Sequence, residues 1–110
     1  MTSEESLSER LIREALDAHD HERVAVLTLR AYADELLGYL VAQLRDLEQA
    51  REVFARFAED LWQALPNLVL RSSMRAYCYA LVRHASHRYL DRDLRKQRRG
   101  VALSAVVSEL

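Results

Sequence analysis

The stretch Asp46-Leu-Glu-Gln-Ala-Arg-Glu-Val-Phe-Ala-Arg-Phe-Ala-Glu-Asp-Leu-Trp-Gln-Ala-Leu-Pro66 reads as one complete helix with both ends marked. Asp46 can accept a hydrogen bond from the backbone N–H three residues on, and Gln49 stands where a capping box places a side chain that reaches back. Ala50, Val53, Phe54, Phe57, Leu61 and Leu65 then recur every three or four residues, the spacing that gathers side chains on one helix face. Pro66 ends the run, because it has no N–H to give and its ring collides with the preceding turn. A helix with one apolar face needs partners to bury it, so this segment predicts further helices around it.

Working outward, the partners can be read on both sides. Upstream, Asp20 is placed to cap a second helix in which Val24, Leu27, Ala31, Leu36, Leu37, Leu40, Val41 and Leu44 supply the apolar stripe, with an end near Arg45. Before it, Ser3 followed by Glu4 and Glu5 marks a short first helix carrying Leu7, Leu11, Ala15 and Leu16, interrupted over residues 17–20. Downstream, residues 66–71 read as a loop, and Ser72 or Ser73 caps a fourth helix with an expected buried stripe of Met74, Tyr77, Cys78, Leu81, Ala85 and Tyr89. Gly100 is expected to end that helix after Arg99. Residues 101–110 read as one more turn or the start of a linker. With two glycines and one proline in 110 residues, the expectation is a single all-α unit. It would be a small helical bundle of about four helices over residues 1–99, with 100–110 as a tail.

Charge is divided unevenly along the chain. Residues 1–70 carry seven arginines against fourteen carboxylates, whereas residues 71–110 carry nine basic groups against three acidic ones, within a net charge of -1. A basic end on a near-neutral protein implies local contact with a polyanion, and the acidic remainder argues against non-specific coating of nucleic acid. Arginine, with its planar fork, supplies almost all of that positive charge and suits phosphate. A solvated helix face is the plainer alternative, partly neutralised by Asp91 opposite Arg88 and Arg95. Tyr77 and Tyr79 could stack on bases, although Tyr77 falls on the apolar stripe and is expected in the core.

Other chemistries find little support. His84, His87 and Asp91 share a helix face, but no recognisable ligand pair elsewhere completes a metal site, and His19 and His21 sit in a polar connection. Ser72, Ser73 and Cys78 lack the surroundings of a nucleophile, and the chain has no glycine-rich phosphate loop. The expectation is a non-enzymatic protein with no cofactor. The lone cysteine and the absence of a leader or a membrane-length apolar run point to the cytoplasm and away from membranes. A small-molecule regulator on the same fold class would need an apolar pocket, which the sequence neither reveals nor excludes.

The segments Leu11–Leu40, Ala50–Trp62 with Leu65-Pro66, and Ser72-Ser-Met-Arg-Ala-Tyr-Cys-Tyr79 with its arginine tail occur in an order with a parallel. Together they resemble region 2 of bacterial RNA polymerase sigma factors of the extracytoplasmic-function class, over about residues 7–99. In that family the third helix carries a pattern like Ala-Glu-Asp-Leu-Val-Gln-Glu, then Trp and Leu-Pro, and docks on the coiled coil of the polymerase β′ subunit. The resemblance therefore implies polymerase contacts at Glu52, Val53, Ala55, Arg56 and Glu59. Glu52 stands where the family has Asp, Ala55 where it has Gln, and Arg56 where it has Glu.

The family's next element reads like Ser-Ser-Phe-Arg-Thr-Trp-Leu-Tyr-Arg-Ile-Ala-Arg-Asn. Ser72, Ser73, Arg75, Tyr79, Arg83 and Leu90 match it, while His84 replaces Asn and Arg88 replaces Asp. In relatives this helix and the loop before it open the promoter element nearest the start site and capture an unstacked base. By resemblance, the loop Pro66–Ser73 would lodge the base, and Arg71, Ser72, Ser73, Arg75, Tyr79, Arg83, His84, Arg88, Arg92 and Arg95 would line the DNA. The implied partners are core RNA polymerase and promoter DNA. The alternative is an interaction module that binds polymerase or an anti-sigma protein without reading DNA, which the replacements at Ala55, Arg56, His84 and Arg88 favour. Family members usually add a helix-turn-helix domain that nothing after Gly100 supplies, so the expectation is an excised domain or a stand-alone protein on the same scaffold.

Overall fold

The computed structural model describes residues 3–109, with side chains from Leu7 onward. The cap expected at Ser3 lies outside those side chains. Among the described residues there are four α-helices and one 3-10 turn: α1 (Ser3–Asp17), α2 (His21–Leu44), α3 (Leu47–Ala64), the turn Leu65–Asn67, and α4 (Met74–Glu109). The all-α bundle expected from the sequence is the observed fold. None of the described helices is long and apolar enough to cross a membrane.

The first two connections are as short as helix hairpins permit. α1 closes with His19 in the left-handed conformation (φ 56°), its N–H donating to the Leu16 carbonyl and that of Asp20 to the Ala15 carbonyl, both at 3.0 Å. This arrangement satisfies carbonyls that α1 would otherwise leave open. Asp20 then caps α2 by accepting from the Arg23 N–H at 3.2 Å. Between α2 and α3, Arg45 is left-handed (φ 55°) and donates to the Val41 carbonyl at 2.7 Å. Asp46 accepts from the Gln49 N–H at 3.0 Å, as its position predicts.

α2 packs chiefly against α1 and α3, and α4 lies against α3 with a lesser contact to α2. The stripe read on α3 is the buried one: Ala50, Val53, Phe57, Leu61 and Leu65, with Phe54 on its flank. The other stripes differ from expectation. In α1 the fully buried side chain is Ile12, beside Ala15, and Leu7 is 49% exposed. α2 buries every fourth residue, Val24, Thr28, Tyr32, Leu36 and Leu40, while Leu27, Ala31, Leu37, Val41 and Leu44 are only partly covered. Packed between α1 and α3, α2 has a core line that runs through a threonine and a tyrosine, which an apolar alphabet passes over. In α4 the buried line is Met74, Cys78, Val82, Ala85 and Ser86, flanked by Tyr77, Leu81 and Tyr89.

α4 does not end at Arg99. It continues through Gly100 to Glu109. Gly100 is not in the left-handed conformation that lets glycine terminate a helix, and one interior glycine costs only about 1 kcal/mol relative to alanine. The consequence is an elongated molecule of 64 × 27 × 20 Å. Its radius of gyration is 18.1 Å, where a globular chain of this length would have about 13 Å. Residues 74–89 lie on the bundle, whereas from Leu90 to Glu109 every residue except Asp93 is exposed.

Candidate nucleic-acid interface

The junction between the loop and α4 is clamped from a distant helix. Ser73 caps α4, its Oγ accepting from the Ala76 N–H at 3.0 Å. The next two helix N–H groups go to Glu9 of α1: Met74 donates at 2.6 Å and Arg75 at 3.3 Å. The Tyr32 hydroxyl donates to the same carboxylate. A carboxylate placed against the positive end of a helix is favoured both by hydrogen bonding and by the helix dipole. Arg13, also on α1, donates to the Ser72 carbonyl at 3.2 Å. The loop's Leu68 and Leu70 pack on the core, and Val69, Arg71 and Ser72 face solvent.

Arg75 and Tyr79 turn toward α2. Arg75 grips Glu35 through Nε at 3.1 Å and Nη2 at 2.9 Å, and Tyr79 donates its hydroxyl to Glu35 Oε2 at 2.8 Å. The Arg75 guanidinium lies 5.1 Å from the Tyr79 ring centre, and Tyr39 meets that ring edge-on at 5.5 Å. The Arg75 hydrogen bond leads in holding the Glu35 carboxyl below its usual range, against a smaller upward push from burial. Burial, then the bond to Glu35, pushes the Tyr79 hydroxyl up. These two residues, expected to lie along DNA, are engaged within the protein.

The arginines of α4 divide between two flanks. Arg75, Tyr79 and Arg83 follow one another at four-residue steps, but the five residues from Arg83 to Arg88 turn the helix by about 140°. Arg88, Arg92 and Arg95 therefore emerge on the α3 side, where Arg88 pairs with Asp60 at 3.1 Å. There, Glu52 and Arg56 of α3 and Arg88, Tyr89 and Arg92 of α4 rim a cleft of about 30 Å³. That is room for little more than a water molecule and far from a small-molecule pocket. Burial raises the Tyr89 hydroxyl, helped by Glu52, Asp93 and Asp46. The single basic face expected from the sequence is thus two strips, and only the second is shared with α3.

Of the residues expected at polymerase, Glu52, Ala55, Arg56 and Glu59 form one exposed row on α3, spaced three and four apart. Val53 does not join them: it is 1% exposed and belongs to the core. Arg83, His84, Arg92 and Arg95 are exposed, and Cys78 is fully buried, its thiol pushed up to about 12 chiefly by burial. Among the described residues no three His, Cys, Asp or Glu side chains gather around a point that a cation could occupy.

The residues that organise this region and that sequence reasoning missed are Glu9, Arg13, Tyr32, Glu35 and Asp60. Glu9, Arg13, Glu35 and Asp60 are partners of α4 or its loop across 28 or more positions, and Tyr32 holds Glu9 across 23; periodicity carries no such signal. Tyr32 alone had one, its place on the four-residue ladder of α2. Comparison with known proteins returns no matching family model, no matching curated protein and no matching solved structure.

Proposed function

We propose that the chain is a region 2 module of the sigma-factor type, a non-enzymatic component of transcription initiation acting in the cytoplasm. In this reading, α3 binds core RNA polymerase through Glu52, Ala55, Arg56 and Glu59. The loop 66–73 and α4 meet the promoter element nearest the start site. One observation carries the reading. α4 is anchored at its start by Ser73 and Glu9, and it bears Arg83, Arg92, Arg95, Lys96, Arg98 and Arg99, which have no carboxylate partner among the described residues. Unpaired cationic groups, most of them guanidinium forks, are what a phosphate backbone needs. The test is binding to a forked promoter fragment across a salt series together with a pull-down of core polymerase. Binding that weakens steeply with salt supports the reading, and none at low salt removes the DNA half of it.

A second reading keeps the polymerase or an anti-sigma protein as partner and drops the DNA. It is favoured by the internal engagement of Arg75 and Tyr79 on Glu35 and of Arg88 on Asp60. Retention of core polymerase by a protein that ignores the forked fragment would select it.

A further inference from the structure

Arg56 was assigned above to protein docking because of its place in the α3 pattern, yet the fold puts it with the arginines of α4. It lines the cleft between α3 and α4 together with Arg88 and Arg92, and Arg95 extends the same strip one turn further along α4. Three guanidinium forks from two helices converge on one concave seam, with the carboxylates of Glu52, Asp91 and Asp93 along its rim. Asp60 engages Arg88 alone. Arg56 and Arg92 have no ion-pair partner among the described residues. On the other flank of α4, Glu35 takes Arg75 and Tyr79 and leaves Arg83 unpaired. The larger group of unengaged guanidinium forks, Arg56, Arg92 and Arg95, therefore stands on the α3 side.

We infer that the seam between α3 and α4 is a phosphodiester-binding groove in which Arg56 acts with Arg88 and Arg92, and that Glu52 moderates its affinity. This rests on the proposal that the module binds DNA, and it moves Arg56 from the protein partner to the nucleic acid. The chemistry suits a sugar-phosphate backbone lying along the seam, since its donors are forks suited to phosphate oxygens.

The probe is a single-stranded oligothymidylate, which offers backbone and stacking without sequence, titrated against the full chain between about 50 and 200 mM salt. Replacing Arg56→Ala is expected to weaken binding several-fold and to flatten the dependence of log K on log salt by about 0.7, the share of one phosphate on a single strand. Glu52→Gln is expected to tighten binding, a gain that no loss of folding can imitate. Arg30→Ala, on the far side of α2, should leave both affinity and slope unchanged. The inference is overturned, with DNA binding still standing, if wild type binds the oligonucleotide but Arg56→Ala keeps the wild-type slope and Glu52→Gln brings no gain. It is also overturned if Arg56→Ala loses core polymerase while holding DNA normally. Failure of the wild-type chain to bind at the lowest salt overturns both the inference and the DNA-binding proposal.

Discussion

The two halves of α4 are one helix made for different reasons. From Met74 to Tyr89 it is held by what it touches: a buried line, a cap from Ser73, a carboxylate from α1, and ion pairs to α2 and α3. From Leu90 to Glu109 almost nothing covers it. There the helix rests on the intrinsic preference of Leu, Arg, Lys, Gln and Ala and on local contacts such as Gln97 to Asp93 at 3.2 Å. The difference teaches how charge is kept available. Where α4 packs, Arg75 and Arg88 are engaged by neighbouring carboxylates and Arg83 is unpaired; where it projects, Arg92, Arg95, Lys96, Arg98 and Arg99 are all left for something else.

The sharpest way to break that contrast is to remove side chains from each half. Met74→Ala should destabilise the protein by about 2–5 kcal/mol, because it empties a fully enclosed site. Leu103→Ala should stay within about 0.5 kcal/mol, as an exposed position does. Urea unfolding of both variants reads the result. A comparable loss for Leu103→Ala would mean that the distal half is packed after all.

Next in size is the clamp on the start of α4. Glu9→Ala leaves the Met74 and Arg75 N–H groups and the Tyr32 hydroxyl without their acceptor, which should cost about 2–3 kcal/mol. Glu9→Gln should recover part of this, since an amide oxygen still accepts. An unchanged urea midpoint in Glu9→Ala would show that Ser73 alone suffices to begin the helix.

Titration separates the halves by a third route, because the packed half carries the buried thiol. Cys78 has a folded-state pKa of about 12 against an ordinary 9.0. Its stabilising contribution is therefore complete below pH 9 and is lost as pH rises toward 12, at up to about 1.4 kcal/mol per pH unit. The raised hydroxyls of Tyr77, Tyr79 and Tyr89 add losses of the same sign, but only above their ordinary 10.0. Cys78→Ala should thus flatten the fall in stability between pH 9 and 10, measured by thermal unfolding, and an unaltered slope would refute the assignment. On the acid side Glu35, whose pKa is lowered, contributes above its ordinary 4.5 and loses that contribution as pH falls through its folded value.

How much of this could be read in advance follows the same division between local and distant causes. Asp20, Asp46, Pro66 and the α3 stripe act within a few residues of themselves, and the chain announces them. Glu9 and Glu35 act across 65 and 40 positions, on groups that only the packed bundle brings near. In sequence they are two carboxylates among many. The arginine tail was legible as charge but not as direction. Its partition into two flanks depends on the helical rotation between Arg83 and Arg88 and on which neighbour stands at each side. The membership of Arg56 in the second flank depends on the α3–α4 contact itself.

The smallest expected effect is the most informative about the projecting half. Gly100 sits inside the exposed part of α4 with open space where a Cβ would go, so Gly100→Ala meets no steric obstacle. If the distal half is helical through local preference alone, this change should favour the helix around residue 100 by about 1 kcal/mol and slow amide exchange for nearby residues. It should leave the global melting temperature where it is, because residues 74–89 gain nothing from it. A rise in melting temperature would couple the distal turns to the bundle, and the contrast between engaged and available arginines would then need another cause. Slower exchange without a shift in melting would leave α4 as a packed rod extended by a weakly held, strongly basic one. In that case the orientation of Arg95, Lys96, Arg98 and Arg99 is fixed only as firmly as the local helix is, and a ligand that binds them must supply the ordering free energy itself.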